Sequence, residues 1–244
     1  MSQSLSSFDT GLTAVVCGAS GGIGRAFVNA LGSDPRVERV LALSRSGNVP
    51  EATTAYRVDI EDEASIEAAA REIGGPVDLV VVTTGILHDG AFRPEKNWNA
   101  LDADDLARSF AINAIGPALV AKHFLPLLPK QRKSVFAALS ARVGSIEDNR
   151  LGGWYGYRAS KAALNQLLRT LSIELKRTRK EAVCIGLHPG TVDSGLSKPF
   201  QSGVPEGKLF TPEFSATKLL AVINNVTPAD TGRVFAWDGE RVPA

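Results

Sequence analysis

Short hydrophobic runs alternate along this chain with longer stretches in which apolar residues recur at helical spacing. The runs are rich in Val, Leu, Ile and Ala, as expected for strands that are covered by helices on both faces. They predict strands at residues 12–17, 37–44, 55–58, 77–83, 134–139, 181–187 and 232–237. Helical periodicity predicts helices at residues 25–31, 64–73, 102–128, 155–179 and 211–224. The alternation predicts an α/β fold with a doubly wound parallel sheet.

The pattern shows no internal repeat and no linker that would divide the chain. We therefore predict a flexible, Ser-rich N-terminus at residues 1–10 and a single domain at residues 11–244. Residues 194–210 follow no periodic pattern and are rich in Gly, Pro and Lys, so we interpret them as a mobile loop over a substrate pocket. Within the helix predicted at 102–128, Pro117 should cause a kink because proline has no backbone N–H to donate.

Composition narrows the function classes further. The chain has 244 residues, of which 44% are hydrophobic and 22% charged, and its net charge of +1 gives no electrostatic reason to expect nucleic acid or a membrane surface as a partner. Cys17 and Cys184 lie in apolar runs, which indicates buried free thiols, a reducing compartment and a cytoplasmic protein. The three histidines are scattered, so no metal site is predicted, and we see no export signal and no apolar run of ~20 residues that would span a membrane.

The strongest chemical signal lies at the start of the helix predicted at 155–179. Tyr157 and Lys161 are four residues apart, so both point to one side of that helix. A phenol titrates near pH ~10 in water, and a fixed ammonium nearby lowers its pKa by favouring the phenolate. We therefore predict that Tyr157 acts as a general acid and base on a carbonyl or an alcohol, with Lys161 tuning its pKa.

A glycine-rich turn follows the first predicted strand directly. Gly18, Gly22 and Gly24 occupy the switch from strand to helix, where glycine lets the backbone approach a pyrophosphate and the helix N-terminus supplies N–H donors. Ligands of doubly wound sheets lie at the carboxyl ends of the strands, and Arg45, Asp59 and Gly85 fall at such ends too. This spacing therefore predicts a dinucleotide site.

Taken together and in this order, these motifs resemble those of the short-chain dehydrogenase/reductase family over nearly the whole chain. The further matches are Asn113-x-x-Gly116 and the turn Pro189-Gly190. The run SARVGSI at 140–146, followed by GGWY at 152–155, is similar to the C-factor and sniffer-type carbonyl reductase subgroup. The resemblance implies a Rossmann-type fold and hydride transfer between NAD(P)(H) and a carbonyl or alcohol substrate. The alternative is a C-factor-type signalling or sensor protein that binds the dinucleotide with little or no turnover.

The resemblance also implies roles for particular residues, and this chain departs from the family pattern at two of the matching positions. The implied catalytic residues are Asn113, Ser140, Tyr157 and Lys161. The implied cofactor-binding residues are Gly18, Ser20, Gly22, Ile23, Gly24, Ser44, Arg45, Asp59, Ile60, Thr84, Gly85, Tyr157, Lys161, Pro189, Gly190 and Val192. Thr83-Thr84-Gly85 stands in place of the usual Asn-Ala-Gly, and Ser140-Ala141 in place of Ser-Ser. We favour Ser140 as the catalytic serine, with Ser145 as its rival.

Two further predictions concern the cofactor and the assembly. NAD-specific sites commonly end the second strand with an acid that binds the ribose hydroxyls, whereas this strand ends in Ser44-Arg45. A guanidinium matches a 2′-phosphate, so we predict that NADP(H) is preferred and that NAD(H) remains possible. The helices predicted at 102–128 and 155–179 carry apolar residues around more than one face, which predicts a homodimer or homotetramer.

Overall fold

The computed structural model describes residues 5–49, 53–90 and 92–244. Nine strands occur in this part of the chain: β1 Leu12–Cys17, β2 Val37–Ser44, β3 Thr54–Arg57, β4 Leu79–Val82, β5 Ser134–Leu139, β6 Ala182–His188, β7 Thr191–Val192, β8 Leu209–Phe210 and β9 Val234–Ala236. The α-helices are α1 Gly22–Gly32, α2 Glu63–Ile73, α3 Ala103–Phe110, α4 Gly116–Phe124, α5 Tyr155–Thr178 and α6 Pro212–Asn225.

Seven of these strands form one parallel sheet in the order β3-β2-β1-β4-β5-β6-β9. Helices α1 and α6 pack on one face, and α2, α4 and α5 on the other, each over its own apolar core. Every residue of β1 is buried, because this strand lies in the interior of the sheet with helices above and below it. The predicted doubly wound α/β fold is therefore confirmed. From β1 the strand order runs towards one edge of the sheet, and from β4 it runs towards the other. Such sheets bind ligands at the point between two strands where the order changes direction.

The helix predicted at 102–128 differs from its expected form. It begins as predicted with Asp102, whose carboxylate accepts from the N–H groups of Asp104 and Asp105 at 2.9 and 3.1 Å. After α3 the chain widens into a π-helical turn at Ala111–Ile115 before α4 continues it. Pro117 explains the change, since it lacks the N–H that would donate to the carbonyl of Asn113. Asn113 thus lies inside the irregular turn.

The continuous helical segment 103–127 bears on the expectation that no apolar run of ~20 residues spans a membrane. It meets the requirements of length and composition, with a mean hydropathy of 1.3 over its best window. Half of that window is nevertheless buried inside the protein. The helix therefore behaves as a core element here, packed between α2 and α5.

Two smaller stretches bear on the remaining predictions. Of the N-terminal residues 1–10, the structure describes residues 5–10, in which Leu5 and Phe8 are buried in the core beneath α1 and α6. Their predicted flexibility stays a prediction, as does the assignment of one domain. The loop predicted at 194–210 contains a 3₁₀ turn at Lys198–Gly203 and ends in β8, which pairs in parallel with β7. The mobility of this loop also stays a prediction, but the pairing of β7 with β8 joins its two ends.

Candidate active site

A cavity of about 490 Å³ opens at the carboxyl edge of the sheet, beside the ends of β1, β4, β5 and β6. The predicted residues that line it are Gly22, Ile23, Gly24, Thr84, Gly85, Ser140, Tyr157, Lys161, Pro189, Gly190 and Val192. The other predicted residues lie outside its walls: Gly18, Ser20, Ser44, Arg45, Asp59, Ile60 and Asn113. The sequence motifs therefore converge on one concave surface, and most of the residues outside it belong to the same edge of the sheet.

Tyr157 and Lys161 stand on the first turns of α5 and face the cavity together, as their spacing predicted. The Lys161 ammonium nitrogen lies 5.8 Å from the centre of the Tyr157 ring and donates a hydrogen bond to the Leu139 carbonyl at 2.8 Å. Within the described residues no hydrogen bond involves the Tyr157 hydroxyl, and Tyr157 lines the cavity. The phenol is therefore available to a substrate.

The predicted tuning of the phenol by Lys161 is not what the structure shows. Burial raises the pKa of Tyr157 to about 12, and burial lowers the pKa of Lys161 to about 7. Both shifts have the same cause, because a poorly solvated site disfavours the charged form of either group. Tyr157 is protonated at neutral pH, as a phenol of ordinary pKa also is, and it can act as a proton donor, while the pKa of Lys161 lies near neutrality.

Asn113 is completely buried behind the cavity. Its amide accepts from the N–H of Ile86 at 2.9 Å and donates to the Ile86 carbonyl at 2.9 Å and to the Ser160 hydroxyl at 3.1 Å. These bonds connect the π-helical turn to the segment after β4 and to α5. Asn113 therefore holds together two elements that carry site residues, close to Gly85 and Lys161.

The two candidate serines lie in different environments. The Ser140 side chain lines the cavity, and its hydroxyl donates to the side-chain oxygen Oδ1 of Asn165 at 2.6 Å. The Ser145 hydroxyl lies outside the cavity walls, donates to the carbonyl of Ala244 at 3.0 Å and accepts from the N–H of Asp148 at 3.1 Å. Ser145 is thus used in folding its own loop, and the geometry favours Ser140 as the serine that meets a substrate.

The glycine turn is packed too tightly for side chains. Gly18 has φ +88°, a left-handed conformation that favours glycine. A Cβ atom added to Gly24 would lie 2.2 Å from the Gly18 carbonyl oxygen and 2.9 Å from the Thr83 hydroxyl. The turn therefore brings backbone against backbone at the start of α1, where the free N–H groups and the positive end of the helix dipole suit a phosphate.

Unpaired polar atoms mark the same edge of the sheet. The hydroxyls of Ser44 and Thr84 are buried and have no hydrogen-bond partner within the described residues. Buried hydroxyls normally find a partner, so each marks a position where a bound molecule would supply one. Thr84 lines the cavity, and Ser44 ends β2 next to the exposed Arg45. Together with the close-packed glycine turn, these atoms fit a dinucleotide laid along the strand ends.

Comparison with known proteins agrees with this geometry. The sequence profile of the short chain dehydrogenase family matches residues 12–204. The chain belongs to this family. It is accordingly an NAD(P)(H)-dependent oxidoreductase with the Rossmann-type fold of that family, as the motifs predicted.

Three similar proteins, one matched by sequence and two by structure, show what this short-chain dehydrogenase resembles. The C-signal protein of Myxococcus xanthus is 36% identical over 172 residues, which cover 69% of this chain and 93% of that protein. The NADPH-bound carbonyl reductase from chicken fatty liver superposes with a TM-score of 0.83 at 25% identity, over 98% of this chain and 96% of that one. The carbonyl reductase Sniffer of D. melanogaster has a TM-score of 0.79 at 20% identity, over 96% and 100% of the two chains, which shows a shared fold. The predicted resemblance to the C-factor is confirmed, and the likeness to the sniffer reductase is confirmed for the fold.

Sequence reasoning missed the apolar wall of this dehydrogenase's cavity. Trp154 packs edge-on against Tyr157 with ring centres 6.3 Å apart, and against Phe200 of the 194–210 loop at 5.2 Å. Leu87, Val143, Leu196 and Val204 complete the wall. The placement of the loop over the pocket was predicted, but only the GGWY run hinted at Trp154, and no periodicity marked Phe200.

Proposed function

We propose that the protein is an NADPH-dependent reductase that acts on the carbonyl group of a small, largely apolar molecule. One observation carries the proposal: the Tyr157 phenol faces a cavity that begins at a phosphate-compatible glycine turn and ends at the rings of Trp154 and Phe200. Such a cavity combines an apolar lining with a few convergent polar groups, which is the usual composition of a small-molecule site.

The residues of the cavity divide the work between binding and proton transfer. When bound, the nicotinamide cofactor supplies the hydride. The glycine turn and the N-terminus of α1 would hold its pyrophosphate, and Thr84, Pro189, Gly190 and Val192 line the part of the cavity that leads to Tyr157. The family resemblance supports these roles.

The chain's own groups then handle the oxygen of the substrate. Tyr157 donates its proton to the oxygen as negative charge develops on it, since the phenol is protonated at neutral pH. The Ser140 hydroxyl turns from Asn165 to donate to the same oxygen and keeps it within reach of the phenol. Lys161 lies beside the phenol and donates to the Leu139 carbonyl, which fixes its ammonium group near the reacting centre.

The preference for NADPH over NADH rests on the end of β2. Arg45 is exposed there and the Ser44 hydroxyl is buried without a partner. Arg25 contacts the segment that follows Arg45, since its guanidinium donates to the Asn48 carbonyl at 3.3 Å and to the Asn48 side chain at 3.1 Å. Two guanidinium groups and a free hydroxyl suit a 2′-phosphate, and the chicken carbonyl reductase that superposes on this chain binds NADPH.

Replacing the phenol tests the proposed reaction. Tyr157→Phe keeps the ring but removes the transferred proton, and general acid catalysis contributes roughly 10²–10⁴-fold, so turnover of a carbonyl panel with NADPH should fall by at least about 100-fold. Binding of NADPH, measured by fluorescence titration, should stay within a few-fold. Tyr155→Phe is the matched control, because Tyr155 lies outside the cavity walls and its variant should retain activity. A Tyr157→Phe protein that turns over at the wild-type rate would refute the assignment.

The alternative is a dinucleotide-binding sensor with little turnover, and the likeness to the C-signal protein keeps it in view. The intact set of Asn113, Tyr157 and Lys161 favours an enzyme, because binding alone needs no proton donor. Wild-type protein that binds NADPH tightly but oxidises it with no member of the carbonyl panel would favour the sensor.

We also propose a homodimer or homotetramer in the cytoplasm. Ile115 beside α4 and Ile173 on α5 are 52% and 49% exposed, which supports a contact between copies across these helices. The thiols of Cys17 and Cys184 are buried and free, as predicted, which suits a reducing compartment. A monomer mass by light scattering at micromolar concentration would contradict the oligomer.

A further inference from the structure

Glu95 is a buried acid that the reaction scheme above does not use. It lies in the segment between β4 and α3, and only 4% of its surface is exposed. Both of its carboxylate oxygens accept from the N–H of Gly156, each at 3.1 Å. In the described part of the chain, the carboxylate has no ion-pair partner. It is therefore aimed at the first turn of α5, 61 residues further along the chain.

The backbone of Glu95 holds the same turn from a second point. Its carbonyl accepts from the N–H of Trp154 at 2.6 Å. Trp154 precedes α5 and has φ 54°, the one positive φ of a non-glycine residue among those described, and its own side chain makes no capping bond. Left-handed backbone at a bulky residue persists only where the surroundings impose it. Glu95 supplies that constraint.

Gly156 has no space for a side chain, because the Glu95 carboxylate occupies that space. A Cβ atom on Gly156 would lie 2.9 Å from the Glu95 carboxylate and 3.0 Å from the Ser109 hydroxyl, and that hydroxyl is buried without a partner. A carboxylate that accepts an N–H in the first turn of a helix satisfies a donor that the helix itself leaves free, and it is favoured by the helix dipole. Glu95 thus replaces the N-cap side chain that Trp154 does not provide.

The held turn carries two parts of the active site. Tyr157 directly follows Gly156, and the Trp154 ring packs against both Tyr157 and Phe200. We propose that Glu95 is a positioning residue. Its carboxylate and its carbonyl fix the first turn of α5, so that the Tyr157 hydroxyl and the Trp154 ring keep the geometry that proton transfer requires. The proposal rests on the reductase function proposed above.

Three variants test it. Glu95→Ala removes the acceptor, whereas Glu95→Gln keeps an acceptor oxygen without the charge. Asp102→Ala is the matched control, because it removes an acidic N-cap from α3, which does not present Tyr157. A misplacement of about 1 Å can cost about 100-fold in rate, so Glu95→Ala should lower kcat by about 10–100-fold while the Kd for NADPH stays within about threefold. Glu95→Gln should restore kcat to within about threefold of wild type, and Asp102→Ala should leave kcat unchanged.

Hydrogen exchange gives a second readout that does not depend on turnover. The amide of Gly156 should exchange at least about tenfold faster in Glu95→Ala than in wild type, with the amides of β1 as internal reference. If the wild type reduces no carbonyl, the proposed function fails, and the exchange result still decides whether Glu95 holds the turn. A wild-type kcat in Glu95→Ala, a Glu95→Gln protein as slow as Glu95→Ala, or unchanged exchange at Gly156 would each overturn the proposal.

Discussion

Replacing Gly24 by alanine should distort the glycine turn, because a Cβ atom at this position has no space. It would lie 2.2 Å from the Gly18 carbonyl oxygen, whereas carbon–oxygen contacts in proteins begin at about 3.3 Å. The turn must therefore move by about 1 Å. Gly18 resists this movement, since its N–H donates to Leu43 at 2.9 Å and its carbonyl accepts from Gly21 at 3.0 Å.

The free-energy cost follows from these contacts. Forcing an extra methyl group into a packed interior costs about 1–3 kcal/mol, and a lost hydrogen bond adds about 1 kcal/mol. For a chain of this length, each 1 kcal/mol lowers Tm by about 2–4 °C, so Gly24→Ala should melt roughly 5–15 °C below wild type. Because the displaced turn is the proposed pyrophosphate site, NADPH binding should weaken at least about tenfold even where the variant is folded.

The assays are thermal unfolding followed by circular dichroism and NADPH titration at 15 °C. Gly32→Ala is the matched control, because Gly32 ends the same helix, is exposed and has no atom within 4 Å of the added Cβ. That variant should melt at or slightly above the wild-type temperature, since alanine favours helix more than glycine does. Wild-type stability and NADPH affinity in Gly24→Ala would refute the argument from close packing.

Three further outcomes are expected. Arg45→Ala should weaken NADPH about 10–150-fold and leave NADH nearly unchanged, since a hydrogen bond to a charged group contributes about 1.5–3 kcal/mol; a wild type that binds both cofactors equally would contradict the assigned role. Ser140→Ala should lower kcat at least about tenfold whereas Ser145→Ala should lower only stability, and a wild-type kcat in both variants would show that neither hydroxyl meets the substrate. Lys161→Met should be inactive but should unfold with a free energy about 2–3 kcal/mol higher than wild type. The reason is that burial lowers the Lys161 pKa from 10.5 to about 7, so a protonated lysine destabilises the folded state. The figure already allows for the lost hydrogen bond to the Leu139 carbonyl. This gain in stability should be largest below pH 7 and should shrink to nothing as the pH approaches 10.5. Between about pH 7 and 10.5 the folded wild type has released a proton that its unfolded state keeps, so the wild type gains stability as the pH rises. A gain that does not change with pH in urea unfolding would contradict the burial of the charge.

The features that could be predicted from sequence are those that local spacing determines. The glycine turn and the Tyr157-Lys161 pair depend on contacts within a few residues, so their geometry follows from one strand end and one helix face. Glu95 could not be found in this way, because it contacts Gly156 across 61 residues and lies in a segment without periodicity. The choice between Ser140 and Ser145 depended on the fold of the 140–154 loop, which no pattern in the sequence describes.

Burial changes the pKa values of Tyr157 and Lys161 in a way that their local spacing does not predict. From its charge and spacing alone, Lys161 is expected to lower the pKa of the Tyr157 phenol. Desolvation instead raises the pKa of Tyr157 to about 12 and lowers the pKa of Lys161 to about 7. At neutral pH the phenol thus holds its proton, while only part of the Lys161 population carries the charge that would draw the proton away. Negative charge that develops on a substrate oxygen is then the event that releases this proton, so donation is coupled to hydride transfer and does not precede it.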